Sequence, residues 1–237
     1  MNLDAEPRDL LVLARRLLER LSAPALAPFL AEWPRPQDRH GAPLREAREA
    51  QAAREALDAP PVRRAALPVL HYLPLIVANA TSHDSEFAAT PFVRALCEAA
   101  PSLEWRQTYT LAEMGAAFLQ NYGWSELLGP TGGKTSAQIS CGVVVLGPHT
   151  LYPLHRHEAE EIYIPLSGTA QWQQGDALWR IRLPGTLIHH RSEEPHAMRT
   201  GNEPLLAMYL WRSANLDQKA RLERPGSADG SIDRSTE

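Results

Sequence analysis

The sequence predicts a mainly β protein with α-helices, in which an N-terminal helical region precedes a C-terminal antiparallel β-barrel. Apolar residues recur at helical spacing through the first half of the chain. In the second half, runs rich in Val and Ile alternate with turn residues. We therefore expect a helical region over 1–130, a barrel over 131–213 and a disordered tail over 214–237.

Four segments of the first half are helical candidates. Leucines about 3.6 residues apart mark 5–32, and acid–base pairs three or four positions apart mark 42–58. Apolar stretches at 65–79 and 86–99 complete the set. Such a region offers an apolar surface through which two copies could form a homodimer.

The barrel prediction depends on evenly spaced turns. The turn PTGGKTS is followed by the β-rich run AQISCGVVVLG, and Gly-containing turns then interrupt short β-compatible runs up to Arg212. Their spacing of roughly 8 to 12 residues is typical of a barrel or a sandwich. The final SADGSIDRSTE carries too few apolar residues to offset its ordering entropy, which predicts the disordered tail.

Composition limits the partners and the compartment. The net charge is −4, and Lys and Arg form no basic stripe that would neutralise phosphates, so nucleic acid is not an expected partner. Cys97 and Cys141 are too few for a disulfide framework, and neither a signal peptide nor an apolar membrane span is recognisable. We expect a soluble cytoplasmic protein, not bound to membranes, that acts on a small molecule.

The segment LYPLHRHEAEEIYIPLSG, residues 151–168, concentrates side chains that bind metals. Because side chains alternate along a strand, His155 and His157 point the same way, and Glu161 and Tyr163 share a face beyond the intervening turn. Imidazoles with one carboxylate suit Zn, Fe, Mn, Ni or Co. The segment therefore predicts a site for one divalent transition metal, although it does not name the metal.

A second polar cluster, HHRSEEPHAMRT, follows far enough along the chain for two hairpins to bring a strand back beside the first. His196, which follows Pro195, is the predicted fourth ligand. His189 and His190 compete for that role, but they precede the turn and lie on opposite faces of one strand. Their alternative role is that of hydrogen-bonded histidines at the barrel rim.

These spacings resemble the cupins, small jelly-roll barrels with a metal inside. The first cupin motif, HxHxxxE with a glycine after six further residues, is filled by His155, His157, Glu161 and Gly168. His149 replaces the glycine that usually opens this motif. The second motif, a Pro-Gly turn before a histidine, is met more loosely by Pro184, Gly185 and His196.

The longer pattern YxxHxHxxxExY, with PHA further on, resembles the bacterial cupin-type dimethylsulfoniopropionate lyases, which also carry helices before the barrel. The matching residues are Tyr152, His155, His157, Glu161, Tyr163 and His196. The resemblance implies a carbon–sulfur lyase that cleaves dimethylsulfoniopropionate to dimethyl sulfide and acrylate. It also implies that the histidines and the glutamate bind the metal, that Tyr163 is the base and that Tyr152 is a second pocket tyrosine.

The chemistry of such a reaction agrees with these residue types. Removing a proton beside a carboxylate requires stabilisation of an enediolate, which a metal supplies. A neighbouring cation also favours the phenolate of Tyr163, whose unperturbed pKa is about 10. A sulfonium suits aromatic faces, so candidates for substrate binding, with ordinary core roles as the alternative, are Trp172, Trp179 and Tyr109, joined by Trp105 and Trp124.

Two other functions remain open from the sequence. One is a cupin enzyme of another kind, such as a dioxygenase, an isomerase or a lyase acting on another small carboxylate. The other is a non-catalytic cupin that binds a small ligand. Motifs for other chemistries, namely GxSxG, the P-loop, GxGxxG and CxxC, are absent from the sequence.

Overall fold

The structure is a computed structural model that describes residues 9–34, 67–82 and 89–223. The helices within these ranges are α1 (Leu10–Leu21), α2 (Ala27–Ala31), α3 (Leu73–Ser82), α4 (Thr90–Ala99) and α5 (Leu111–Gln120). The strands are β1 (Trp105–Arg106), β2 (Tyr122–Leu128), β3 (Ile139–Leu146), β4 (Leu151–Arg156), β5 (Glu160–Ser167), β6 (Ala170–Gln174), β7 (Arg180–Arg182), β8 (Ile188–His190), β9 (His196–Thr200), β10 (Leu205–Arg212) and β11 (Arg221–Leu222).

The first helix forms where leucine spacing predicts one. Asp9 caps α1, since its carboxylate accepts the backbone N–H of Leu11 at 2.9 Å. Its buried face, made of residues three and four positions apart, includes Leu13, Leu17 and Leu18. The expected helix over 42–58 lies outside the described residues.

Two antiparallel sheets form the β part of the fold. One has six strands in the order β1-β2-β3-β10-β5-β8, and the other has five in the order β11-β4-β9-β6-β7. Their inner faces meet, because the ring of Tyr163 on β5 lies 6.1 Å from that of Trp172 on β6. The predicted fold class, a β-barrel with a helical N-terminal region, is confirmed.

Strand β3 separates two cores, which explains why its sequence is almost entirely apolar. All eight of its residues are buried. Val143 and Val145 pack in the core shared with α1 and α4, whereas Val144 and Leu146 face the barrel interior. A strand covered on both faces has no polar side, so the run lacks the usual alternation.

The boundary expected at residue 130 is wrong for the sheet, which begins earlier in the chain. β2 pairs along its length with β3, with Trp124 opposite Val144, and β1 extends the same sheet. The YGWSELL run contains Gly123 and Glu126, residue types that are depleted in strands, which is why sequence reasoning assigned it to the helical region.

The tail expected from residue 214 is wrong for its first part. Residues 214–223 lie against the barrel, where β11 pairs with β4 and Leu222 lies opposite His155. An ion pair of 2.5 Å joins Arg156 Nε to Glu223 Oε1. Residues 224–237 lie outside the described part of the chain. Among the described helices, none has the length and apolar character to cross a membrane.

Candidate metal centre

Three buried side chains converge between the two sheets. The potential ligand atoms of His157, Glu161 and His196 all lie within 4.8 Å of one another. Glu161 Oε2 is 2.9 Å from His157 Nε2 and 3.1 Å from His196 Nε2. Since Glu161 lies on β5 and His196 on β9, the barrel has to close before the group can form.

Backbone carbonyls set the orientation of the histidine rings. The Nδ1 atoms of His155, His157 and His196 each lie 2.8 to 2.9 Å from a carbonyl oxygen two residues away. A carbonyl only accepts, so Nδ1 carries a proton and Nε2 is the nitrogen that faces Glu161 or a bound cation. This is the arrangement that orients imidazole toward a metal.

The donor set of this group fits a divalent transition metal. His196 Nε2 is buried without a hydrogen-bond partner, although Glu161 Oε2 is near it. Leaving such an atom unsatisfied costs roughly 1–3 kcal/mol, and a bound cation would remove that cost. Two imidazole nitrogens and a carboxylate oxygen are ligands that suit Zn, Fe, Mn, Ni or Co.

His155 lies beside this group rather than within it. Its ring stacks on that of Tyr152, with centroids 4.1 Å apart and an angle of 7°, and lies 4.2 Å from the ring of His196. His155 lies opposite His196 in the β4–β9 pairing, and its ring is 6.3 Å from that of His157, so both predicted histidines are buried beside His196. The ligand role of His155 stays a prediction.

Burial and charge act in opposite directions on the ionisable groups. Burial raises the pKa of Glu161, but the neighbouring His157 and His196 outweigh it and hold the pKa well below its usual range. Burial lowers the pKa of His157, and the Glu161 carboxylate reverses this and raises it. The carboxylate is therefore an anion, as a metal ligand has to be.

Both predicted tyrosines face a cavity of about 280 Å³ that also reaches Glu161. Burial and then the negative charge of Glu161 raise the pKa of Tyr163 well above its ordinary value. Burial also raises the pKa of Tyr152, whose hydroxyl lies 3.0 Å from that of Tyr109. Tyr163 becomes a proton acceptor only where a cation offsets both effects.

The aromatic residues predicted to bind substrate lie in different parts of the structure. Trp179 lies between β6 and β7, with the exposed Arg199 guanidinium 4.5 Å from its ring, and it does not line the cavity. Trp172 is 1% exposed within the barrel core. Tyr109 is buried against Tyr152, and its role stays a prediction.

Of the two further candidates, Trp105 packs with the helices and donates to the Ala100 carbonyl at 3.0 Å, whereas Trp124 lines the cavity. Sequence reasoning missed other lining residues, chiefly Tyr122, Glu126, Tyr209 and Trp211. Strand register determines where these residues lie, and no local sequence motif reveals that register.

His189 and His190 occupy opposite faces of β8, as predicted. His189 lies 2.8 Å from Glu160 on the outer face, whereas the buried ring of His190 stacks on that of His196 at 4.0 Å. The Gln174 amide nitrogen lies 3.4 Å from His190 Nδ1, and His190 Nε2 is buried without a hydrogen-bond partner. Whether His190 or His196 binds a metal therefore stays a prediction.

Comparison with known proteins identifies relatives that match large parts of this chain. The family model for dimethylsulfoniopropionate (DMSP) lyase matches residues 43–207. DMSP lyase DddQ of Ruegeria pomeroyi is 37% identical over 109 residues, which are 46% of this chain and 54% of the relative. The chain thus spans about half the length of this curated relative.

Solved structures agree over a longer stretch. A crystal structure described for the DMSP lyases RdDddP and RnDddQII has a TM-score of 0.69 and 32% identity, covering 91% of this chain and 96% of that one. DddQ from Ruegeria pomeroyi has a TM-score of 0.66 and 26% identity, with 94% and 99% covered. The chain belongs to the DMSP lyase family.

Proposed function

We propose that this protein cleaves DMSP to dimethyl sulfide and acrylate by β-elimination at a metal held by His157, Glu161 and His196. The observation that carries the proposal is the position of Tyr163. Its side chain faces the same cavity as Glu161, and its ring lies 6.2 Å from that of His196. The proposed base and one residue of the candidate metal group, Glu161, therefore face the same cavity.

The proposed reaction moves one proton and breaks one bond. A divalent metal in the site would supply the positive charge that binds the substrate carboxylate and stabilises the developing enediolate. Tyr163 takes the proton from the carbon beside that carboxylate. As the carbon–carbon double bond of acrylate forms, the carbon–sulfur bond breaks, and its electron pair leaves with sulfur as neutral dimethyl sulfide.

Other side chains keep this compartment small. Cavities that bind drug-sized ligands range over roughly 300–1,000 Å³, and the volume here is about 280 Å³. Residues of the C-terminal segment, from Leu216 to Ala220, contribute to its wall. A bound substrate that displaces water from this cavity would strengthen the electrostatic interactions on which proton removal depends.

A direct assay tests this proposal. Protein purified without a histidine tag is analysed for bound metals, stripped with chelator, reloaded with Zn, Fe, Mn, Ni or Co, and given DMSP. Headspace gas chromatography measures dimethyl sulfide, and liquid chromatography measures acrylate. We expect both products in equal amounts from reloaded protein and only background from stripped protein. Absence of dimethyl sulfide from every metal-replete sample would refute the proposal.

A further inference from the structure

One row of residues crosses the six-stranded sheet from its rim to the metal centre. Glu126 lies opposite Gly142, Gly142 opposite Tyr209, and Tyr209 opposite Tyr163. Directly opposed residues of antiparallel strands point to the same face of the sheet. Glu126 therefore shares the cavity face with Tyr163, at the other end of the row.

The missing side chain at Gly142 lets Tyr209 reach along this row. A methyl group added at Gly142 would lie 2.5 Å from the Tyr209 hydroxyl oxygen, which shows that the phenol covers the glycine. The Tyr209 ring lies edge-to-face with those of Trp124, at 6.5 Å, and Trp211, at 6.3 Å. Three aromatic rings thus form one stretch of cavity wall.

The Glu126 carboxylate beside these rings is held by neutral groups. Its Oε1 accepts the backbone N–H of Thr131 at 2.6 Å, and its Oε2 accepts the Ser140 hydroxyl at 2.7 Å. Among the described residues, no Lys or Arg forms an ion pair with Glu126. Its negative charge is positioned but is not matched by a cation of the protein.

The basic side chains of the same cavity are already paired. Arg106, whose guanidinium lies 5.8 Å from the Trp124 ring, forms an ion pair of 2.7 Å with Glu104. Lys219 forms one of 2.5 Å with Glu113. The described basic side chains of the cavity thus have carboxylate partners other than Glu126.

We infer that Trp124, Tyr209, Trp211 and Glu126 form a subsite for a methylated cation, which for the proposed substrate is the dimethylsulfonium group. Aromatic faces attract such cations, and a nearby carboxylate adds a full opposite charge. The subsite rests on the proposed function for its substrate and deepens it by assigning an orientation. The carboxylate end of the zwitterion lies toward Glu161 and His196, and the cationic end lies toward Glu126.

The subsite assigns Glu126 a role in specificity rather than in bond breaking. The sulfonium charge is present in the bound substrate and disappears as dimethyl sulfide departs. Contacts to that charge therefore favour the substrate over the transition state and the neutral product. Loss of Glu126 should accordingly raise KM for DMSP more than it lowers kcat.

Two isosteric ligands test the subsite by binding alone. In 3-(dimethylammonio)propionate an ammonium replaces the sulfonium, and in 4-methylpentanoate a neutral CH replaces it, with the carboxylate unchanged in both. Calorimetry on metal-loaded protein measures both affinities. We expect Glu126→Gln to weaken binding of the cationic ligand about tenfold and binding of the neutral ligand less than twofold.

The control and the contrary outcomes are defined in advance. Glu98→Gln removes the same charge from the exposed face of α4 and should leave both affinities unchanged. Equal weakening of both ligands by Glu126→Gln, or weakening of neither, would overturn the inference. If Glu126→Gln does not fold, wild-type protein decides, since equal affinity for the two ligands contradicts a cation subsite and a clear preference for the ammonium supports it.

Failure of this inference is separable from failure of the proposed function. The binding measurements need no turnover, so a preference for the cationic ligand without dimethyl sulfide release would refute only the lyase proposal. Release of dimethyl sulfide without that preference would refute only the subsite.

Discussion

Lys219 Nζ lies 2.5 Å from Glu113 Oε1, so an ion pair joins the C-terminal segment to the first turn of α5. The Lys219 ammonium also lies 5.1 Å from the centroid of the Tyr109 ring. Residues 216–220 line the cavity. The ion pair therefore holds a part of the cavity wall that lies between β10 and β11 in sequence.

We expect Lys219→Met to loosen this segment and to raise KM for DMSP about 2- to 5-fold. This factor corresponds to the free energy that an exposed ion pair contributes. Hydrogen exchange of residues 216–222 should become faster. High salt should reproduce part of the effect in wild-type protein, because it screens exposed charges. The exposed pair of Arg15 and Glu19 on α1 is the matched control, since Arg15→Met should change neither measurement. Unchanged exchange in Lys219→Met would contradict this role.

The same pair sets a pH expectation. A hydrogen bond from Lys219, followed by those from Thr110, lowers the pKa of Glu113 to about 2. A carboxyl with a depressed folded pKa contributes its stabilisation above the unfolded pKa of about 4.5 and loses it as pH falls toward 2. Protection of residues 216–222 from exchange, corrected for intrinsic rates, should therefore be constant from pH 5 to pH 8. A loss of protection between those values would show that another group holds the segment.

Trp211 forms a hydrogen bond with the second carboxylate oxygen of Glu161. Its indole Nε1 donates to Glu161 Oε1 at 2.6 Å, which leaves Oε2 to the side of the histidines. Trp211→Phe should lower metal affinity about 10- to 100-fold, as is typical when a group that orients a ligand is lost. Competition with a chelator of known affinity measures this. Trp105→Phe also removes an indole hydrogen bond, but at the helices, and should leave metal affinity unchanged.

Tyr163→Phe separates proton removal from metal binding. We expect kcat for dimethyl sulfide release to fall about 10²- to 10⁴-fold, the usual contribution of a general base, with metal content retained. Tyr72→Phe, in the helical core, is the control and should keep wild-type activity. Near-normal kcat in metal-loaded Tyr163→Phe would assign the base to another group.

The candidate metal group could be predicted from the sequence because its pattern is local. Three of the four predicted ligands converge, since HxHxxxE places His157 and Glu161 on either side of one turn and PHA begins the strand that faces them. His155 lies opposite His196, with its ring 4.2 Å from that of His196, but it is not one of the three residues whose ligand atoms lie close together. Its position depends on the pairing of β4 with β9, which the order of residues along β4 does not reveal.

The residues of the cavity wall were harder to predict because the register between paired strands determines which side chains face the cavity. Tyr209 and Trp211 lie in an apolar strand whose sequence is typical of an ordinary barrel core. Only the pairing of β10 with β5 places Trp211 opposite Glu161. Glu126 was likewise not predicted, because it lies in a segment that was assigned to the helical region. Long-range pairing of strands is the information that a local pattern lacks.

Removal of the metal should lower the thermal stability of the fold. A ligand that binds only the folded state at 100 times its Kd stabilises it by about 2.7 kcal/mol, and each kcal/mol shifts Tm by roughly 2–4 °C at this chain length. We therefore expect chelation to lower Tm by about 5–10 °C. His157→Asn should remove this difference, whereas His189→Asn, a substitution on the outer face of β8, should keep it. Equal responses of the two variants would mean that the stabilising metal is bound elsewhere.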